Sequence, residues 1–234
     1  MTESPTPVKS QVKQHEPIPP CERCQKTPRL CVCDSISPIK TKTKVLILQH
    51  PQEPDKTLGT ARIAHLMLIN SKLLIALSRR NLEHALGDLA PGEKIDPKDW
   101  LVLYLGSAKP PRIAPGGDPK ILVLNRESKP HPDSDQILRR IKGILVLDGT
   151  WSQAKALWWR NAWILKLQRA VLCTPQRSLY GKLRKEPRPE SVSTIESLGL
   201  ALAILEGKSE LNDQLLVPFK ALLERYRARG NLRR

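Results

Sequence analysis

Six short, nearly continuous apolar runs constrain the fold of this chain most: "KVLILQ" (44–49), "LLIAL" (73–77), "WLVLY" (100–104), "ILVL" (121–124), "ILVL" (144–147) and "AVLC" (170–173). A strand with one wet face alternates apolar and polar residues, whereas a strand covered on both faces does not. Stretches of helical period separate or follow the runs: "TARIAHLMLIN" (60–70), "DQILRRI" (135–141), "SQAKALWWR" (152–160), "TIESLGLALAILE" (194–206) and "LLVPFKALLERYRA" (215–228), the last with a proline near its start. Alternation of this kind predicts an α/β fold with a mostly parallel sheet and helices on both faces. The 234 residues fit one large domain or a domain with a small appendage, and the 40% hydrophobic content can bury a real core. No internal repeat is present.

The ends differ from this body. Residues 1–20 carry five prolines among polar and charged residues and are expected to be a disordered arm. Residues 211–234 are expected to form a C-terminal helix and a basic tail. The closing "RYRARGNLRR" has five arginines in ten residues and reads equally as a solvated end or an RNA contact.

Charge narrows the partners. With 39 Lys+Arg against 23 Asp+Glu, the formal charge is +16. Nucleic acid is the first expectation, because neutralising phosphates releases counterions. An anionic membrane surface is the competitor, but no strongly basic amphipathic helix with an aromatic apolar face is seen. The apolar runs are far too short to span a bilayer, and nothing resembles a signal peptide. The expectation is a soluble, cytoplasmic protein without a membrane partner, its oligomeric state unknown.

Four cysteines, Cys21, Cys24, Cys31 and Cys33, fall within thirteen residues, in "CERCQKTPRLCVC". In a reducing compartment such thiols serve as ligands more often than as disulfides. Their spacing suits tetrahedral Zn²⁺, and four protein ligands leave no open position, so the metal would be structural. Residues 21–40 therefore read as a zinc-binding segment; an iron–sulfur cluster or ordinary thiols are the alternatives. Cys173, in an apolar run, reads as core.

Ligands in open α/β sheets gather at the carboxyl ends of strands. Three runs here end in polar or glycine-bearing corners: Gly106 and Ser107 after "LVLYL", Asn125 and Arg126 after "ILVL", and Asp148-Gly149-Thr150-Trp151 after the second "ILVL". Gly149 permits close backbone approach, and Thr150 or Ser152 can cap the next helix. Asp148 alone could equally be a turn residue bonding local amides. No G-x-G-x-x-G or P-loop pattern occurs. Two further clusters stand out. "QHPQEPDKTLGTAR" (49–62) holds His50, Glu53 and Arg62. "RSLYGKLRKEPRPESVSTIES" (177–197) holds Tyr180, Lys182, Arg184, Lys185, Ser193 and Thr194. Arginines with an interleaved tyrosine suit phosphate contact and base stacking.

Taken together, "CERCQKTPRLCVC", "LQHPQEPDKTLGTARIAHLMLINSKL", "VLDGTWSQAK", "SLYGKLRKEP" and "STIESLGLAL" resemble the DTW-domain family in order and spacing, from about Cys21 to Glu206. That family is similar to tRNA-uridine aminocarboxypropyltransferases, which move the 3-amino-3-carboxypropyl group of S-adenosylmethionine to N3 of uridine. It is related to an rRNA aminocarboxypropyltransferase and, more distantly, to SPOUT methyltransferases. The resemblance implies a SPOUT-like, knotted catalytic domain over 41–210, although general topology rules disfavour knots. Where the family often has proline after the 100–104 run, this chain has "LYLGS".

Under this resemblance Asp148 would take or guide the uridine N3 proton. An aspartate of ordinary pKa, about 3.9, is a poor base in water, so that role needs desolvation or steering. Gly106, Ser107, Asn125, Leu147, Gly149, Thr150, Trp151, Ser193 and Thr194 would hold S-adenosylmethionine, with Trp151 packing the pocket or stacking on a base. Arg62, Tyr180, Lys182, Arg184 and Lys185 would contact tRNA, and His50 and Glu53 would form the pocket wall. The alternatives are an rRNA aminocarboxypropyl- or methyltransferase, or a non-catalytic zinc-containing RNA-binding module.

Overall fold

A computed structural model describes residues 18–54, 56–104, 111, 113–183 and 191–231. Most of the expected arm, residues 1–17, lies outside them. The elements in chain order are β1 (Lys44–Gln49), α1 (Ala61–Met67), β2 (Ser71–Ile75), α2 (Leu82–Leu86), β3 (Trp100–Leu103), β4 (Lys120–Val123), α3 (Ser134–Leu138), β5 (Gly143–Asp148), α4 (Trp151–Arg160), β6 (Gln168–Cys173), α5 (Thr194–Glu206) and α6 (Glu210–Asn231).

The strands form one six-stranded sheet in the order β2-β1-β5-β3-β6-β4. Five run parallel, and β4 alone pairs antiparallel, on β6 at the edge. β5 therefore sits between β1 and β3, with Gln49 in register beside Asp148.

Both faces are covered, which explains the continuous apolar runs. Val45, Ile47, Ile144 and Val146 face a core shared with α1, α5, α6 and the knuckle residues Leu30 and Val32. Leu46, Leu48 and Leu145 face the other core, with Trp100, α2, α4, Trp163 and Ile164. Each such burial stabilises by roughly 1.5–3 kcal/mol, so alternate residues of one strand hold both layers.

Most predicted elements appear with shifted ends. The last helix starts at Glu210, well before Pro218, because α5 stops at Gly207 and the chain reverses at once. Gly207 has φ 64°, the left-handed conformation that closes a helix, and the Lys208 amide donates to the Ala203 carbonyl at 3.0 Å. α6 then lays Leu211, Leu215, Phe219 and Leu222 on the core at helical spacing. The helix expected over 135–141 ends at Leu138. α2 has no counterpart among the expected elements; Asn81 caps it by accepting from the His84 amide at 2.8 Å.

Candidate functional site

The parallel strands all deliver their carboxyl ends to one side, where a cleft of about 430 Å³ opens. Its floor comprises Leu103 at the end of β3, Tyr104 after it, Val146 to Trp151 around the end of β5, and Leu172 of β6. Glu53 and Thr60 from the β1–α1 loop and Ser191 to Thr194 at the start of α5 form its sides.

Asp148 sits at the point of convergence, 9% exposed. Its Oδ2 accepts from the Gln49 side-chain amide at 2.8 Å, and its Oδ1 accepts from the Thr194 hydroxyl. A carboxylate offers about four lone-pair positions, so two donors fix the group without filling it. The adjoining turn is held from both ends. Thr150 caps α4 by accepting from the Gln153 amide, and the Gln153 side chain accepts from the Thr150 amide at 2.7 Å. Gly149 allows this closure, since a Cβ there would stand 2.9 Å from Gln153 Cβ. Across the cleft Ser193 caps α5 in the same manner. Glu196 accepts from the Ser193 amide, the Leu179 amide and the Ser178 hydroxyl, tying the 178–180 segment to the start of α5.

Behind the β1–α1 loop lies the cysteine knuckle. The four Sγ atoms of Cys21, Cys24, Cys31 and Cys33 all lie within 4.8 Å of one another, with Cys21–Cys33 at 3.6 Å and Cys24–Cys31 at 3.7 Å. A tetrahedral zinc with sulfurs at about 2.3 Å sets sulfur–sulfur edges near ~3.8 Å, so this donor set fits that ion. The turn is built for it: the Gln25 amide donates to the Cys21 carbonyl at 2.8 Å, with Gln25 in the left-handed region at φ 57°. The backbone amides of Cys24 and Arg23 pull the Cys21 thiol down to about 6. Burial first, and then the neighbouring thiols, push Cys33 up to about 12. Thiols packed this closely cannot all ionise without a cation between them.

A DTW domain matches residues 18–227 of the chain. The chain belongs to the DTW domain family. Among its relatives, tRNA-uridine aminocarboxypropyltransferase 2 of Macaca fascicularis is 29% identical over 206 residues, covering 87% of this chain and 62% of the relative. The Mus musculus protein of the same name is 29% identical over 213 residues, covering 90% and 64%. The tRNA-uridine aminocarboxypropyltransferase A of Arabidopsis thaliana is 24% identical over 225 residues, covering 89% and 81%. The chain thus spans less than two thirds of the length of the two mammalian relatives. No solved structure matches it.

In this DTW protein the cleft brings together many of the residues singled out in the sequence. Leu147, Asp148, Gly149, Thr150, Trp151, Ser193, Thr194 and Glu53 all line it. His50 adjoins the corner, its amide donating to the Asp148 carbonyl at 2.9 Å, but its side chain is not among the lining groups. Arg62 sits half-buried in the first turn of α1, and Lys182 is exposed. Gly106, Ser107, Arg184 and Lys185 lie outside the described residues.

Two expectations are corrected. Asn125 does not belong to the cleft: β4 runs antiparallel, so its carboxyl end points to the opposite side of the sheet from Asp148. Tyr180 is not exposed for stacking on a base. Its ring is 1% exposed and packs edge-on against Phe219, and its hydroxyl donates to the Leu58 carbonyl at 2.6 Å.

The sequence reading missed Gln49 and Lys26. Gln49 is the last residue of an apolar strand, and only the β1–β5 register shows that it faces Asp148. Lys26 lies inside the knuckle, 6% exposed, and donates to the Lys56 carbonyl at 2.9 Å. Burial draws its pKa down to about 8. The knuckle is thereby bonded to the loop that carries Glu53 and Thr60. A second cavity, about 640 Å³, lies between the knuckle and the end of α6; its described lining includes three arginines but no acid or histidine.

Proposed function

We propose that this protein is a tRNA-uridine aminocarboxypropyltransferase acting at N3 of uridine with S-adenosylmethionine as donor. The observation that carries the reading is Asp148, held by Gln49 and Thr194 at the centre of the strand-end cleft. The names of the relatives support transfer of an aminocarboxypropyl group to a tRNA uridine. The cleft volume falls in the usual range for small-molecule sites, roughly 300–1,000 Å³. Its apolar floor suits an adenine ring, while the hydroxyls and capped helix starts at 149–151 and 193–194 suit the polar ends of the donor. When bound, S-adenosylmethionine supplies an electrophilic sulfonium carbon carrying the aminocarboxypropyl chain.

The chain's own residues would do the rest. Uridine N3–H is a weak acid and must lose its proton to become a nucleophile. Asp148 would accept or steer that proton, with Gln49 and Thr194 fixing which lone pairs face it. Leu147, Gly149 and Thr150 would hold the donor, and Glu53 would wall the uracil side. Burial of the methyl group and presentation of the chain carbon in line with N3 would be a matter of cleft shape. Zn²⁺ in the knuckle would act structurally, through the Lys26 bond to the cleft loop. The SPOUT-like, knotted form of the 41–210 body is part of this proposal through the family resemblance, and the mostly parallel sheet supports its α/β class. The activity would be cytoplasmic under this reading.

The test is incubation with bulk tRNA and S-adenosylmethionine labelled in its carboxypropyl carbons, followed by mass analysis of nucleosides. Label in a uridine derivative with an added aminocarboxypropyl group is the expected result. Label absent from RNA while the protein binds tRNA would overturn the proposal in favour of a binding module. An added methyl group would overturn it in favour of methyl transfer.

A further inference from the structure

α4 buries one side, Ala154, Leu157 and Trp158, and leaves the other uncovered. Trp151, Lys155 and Trp159 stand four residues apart and form one stripe along the helix. All three are exposed, Trp159 by 71%. An indole that far in water contributes little to folding, and with Trp151, 39% exposed, it puts two indoles on one uncovered stripe. The stripe begins at the cleft, because Trp151 lines it and stacks on Tyr104 with ring centroids 6.2 Å apart. From there it runs about 12 Å, at the usual helical rise.

Cations gather where it ends. Arg160 is exposed beside Trp159. The 79–80 turn is fastened to the same place: the Arg79 amide donates to Asn161 Oδ1 at 2.8 Å, and the Trp163 indole donates to the Arg79 carbonyl at 3.1 Å. Among the described residues, no carboxylate lies within salt-bridge distance of Lys155, Arg160, Arg79 or Arg80. A twofold contact between copies would bring such cations against each other and desolvate them without an acid. A polyanion whose bases offer π faces meets both halves of the surface at once.

We propose that the outer face of α4, from Trp151 through Lys155 to Trp159 and Arg160, docks the unpaired RNA strand that flanks the target nucleotide. The inference rests on the tRNA-uridine reading of the neighbouring cleft. A base flanking the target stacks on Trp159, and the phosphates between it and the cleft are met by Lys155 and Arg160. The target uridine then enters the cleft unstacked, as chemistry on a base edge requires.

The test measures binding by anisotropy for three probes: bulk tRNA, a single-stranded oligouridylate, and an RNA duplex of the same length. Trp159→Ala should weaken tRNA and oligouridylate at least about fivefold, the lower end of the stacking range. It should leave the duplex unchanged, and Trp159→Phe should restore most of the loss. Lys155→Ala with Arg160→Ala should lower the salt slope for oligouridylate by about 1.4, at about 0.7 for each phosphate contact on a single strand. These side chains are exposed, and an unchanged melting temperature would show that the fold is intact. Native-like binding of tRNA by Trp159→Ala overturns the proposal, as does equal loss on the duplex. Sedimentation showing that Trp159→Ala splits a native dimer, with RNA affinity unchanged, overturns it in favour of a second copy. The two readings fail separately. Transfer with no change in affinity or KM in Trp159→Ala sinks the surface alone, whereas Trp159-dependent binding without transfer sinks the enzymatic reading alone.

Discussion

The tetrapeptide Ile-Leu-Val-Leu occurs twice, at 121–124 and 144–147, and its copies end on opposite sides of the sheet. The second copy lies in β5, parallel and central, and runs into Asp148. The first lies largely in β4, antiparallel at the edge, and is followed by Asn125. Asp148 receives its donors from a neighbouring strand and from the start of α5. Asn125 turns inward on its own loop: its Oδ1 accepts from the Glu127 and Lys129 amides, both at 3.0 Å. Arg169 closes that loop by donating to the Asn125 carbonyl and the Ser128 hydroxyl. A polar corner after a buried strand becomes a site only where other strand ends and helix starts converge on it.

The largest contrast should come from the two polar residues themselves. Asp148→Asn keeps shape but removes the acceptor charge, and single-turnover transfer at saturating tRNA and S-adenosylmethionine should fall by about 10²-fold or more. Asn125→Ala should cost about 1 kcal/mol of stability through its lost turn bonds and leave transfer near native. Equal transfer in the two variants would break the comparison. A collapse of donor affinity in Asp148→Asn would move that residue from proton handling to binding.

Metal removal should separate the same two corners by distance from the knuckle. About one Zn²⁺ per chain is expected on Cys21, Cys24, Cys31 and Cys33. Cys24→Ser should lower Tm by about 5 °C or more. Amide exchange should quicken in the 50–60 loop, which Lys26 fastens, and stay slow at 125–129. Metal analysis finding no zinc, with unchanged melting after chelation, would remove the metal from the account.

The strand starts also differ. Gly143 begins β5 against the Trp100 ring, and a Cβ there would lie 2.5 Å from its carbons. Gly143→Ala should cost about 1–3 kcal/mol by overpacking. Lys120, exposed at the start of β4, should tolerate alanine with little change in denaturant midpoint.

The smallest effect concerns acid. Burial, reinforced by Arg62, holds His65 below its ordinary 6.5. Below that value the unfolded chain takes up the proton before the folded one, so stability contributed above pH 6.5 is lost as pH falls. His65→Gln should flatten the acid limb of a melting-versus-pH curve. An unchanged limb would assign acid sensitivity elsewhere.

Much of this was legible in the residues. Continuous apolar runs gave the two-faced parallel sheet because burial on both sides removes polar alternation, and the cysteine spacing foretold the sulfur cluster because a short turn cannot separate such neighbours. Asp148, Gly149, Thr150, Ser193 and Thr194 could be named because turn and capping chemistry is local. What the chain alone left open was direction and pairing. Nothing within "ILVLNRES" says that its strand runs antiparallel, so Asn125 looked like a second Asp148. Nothing in "RSLYGK" says that Tyr180 turns into the core to meet Phe219. Gln49 at Asp148, Lys26 on the Lys56 carbonyl, and the Trp159 stripe leading to the cleft all join residues from separate elements. Local sequence determined where strands end and what chemistry stands there; only tertiary packing decided which ends meet, because strand order and direction are set by burying two faces at once rather than by any one segment's preference.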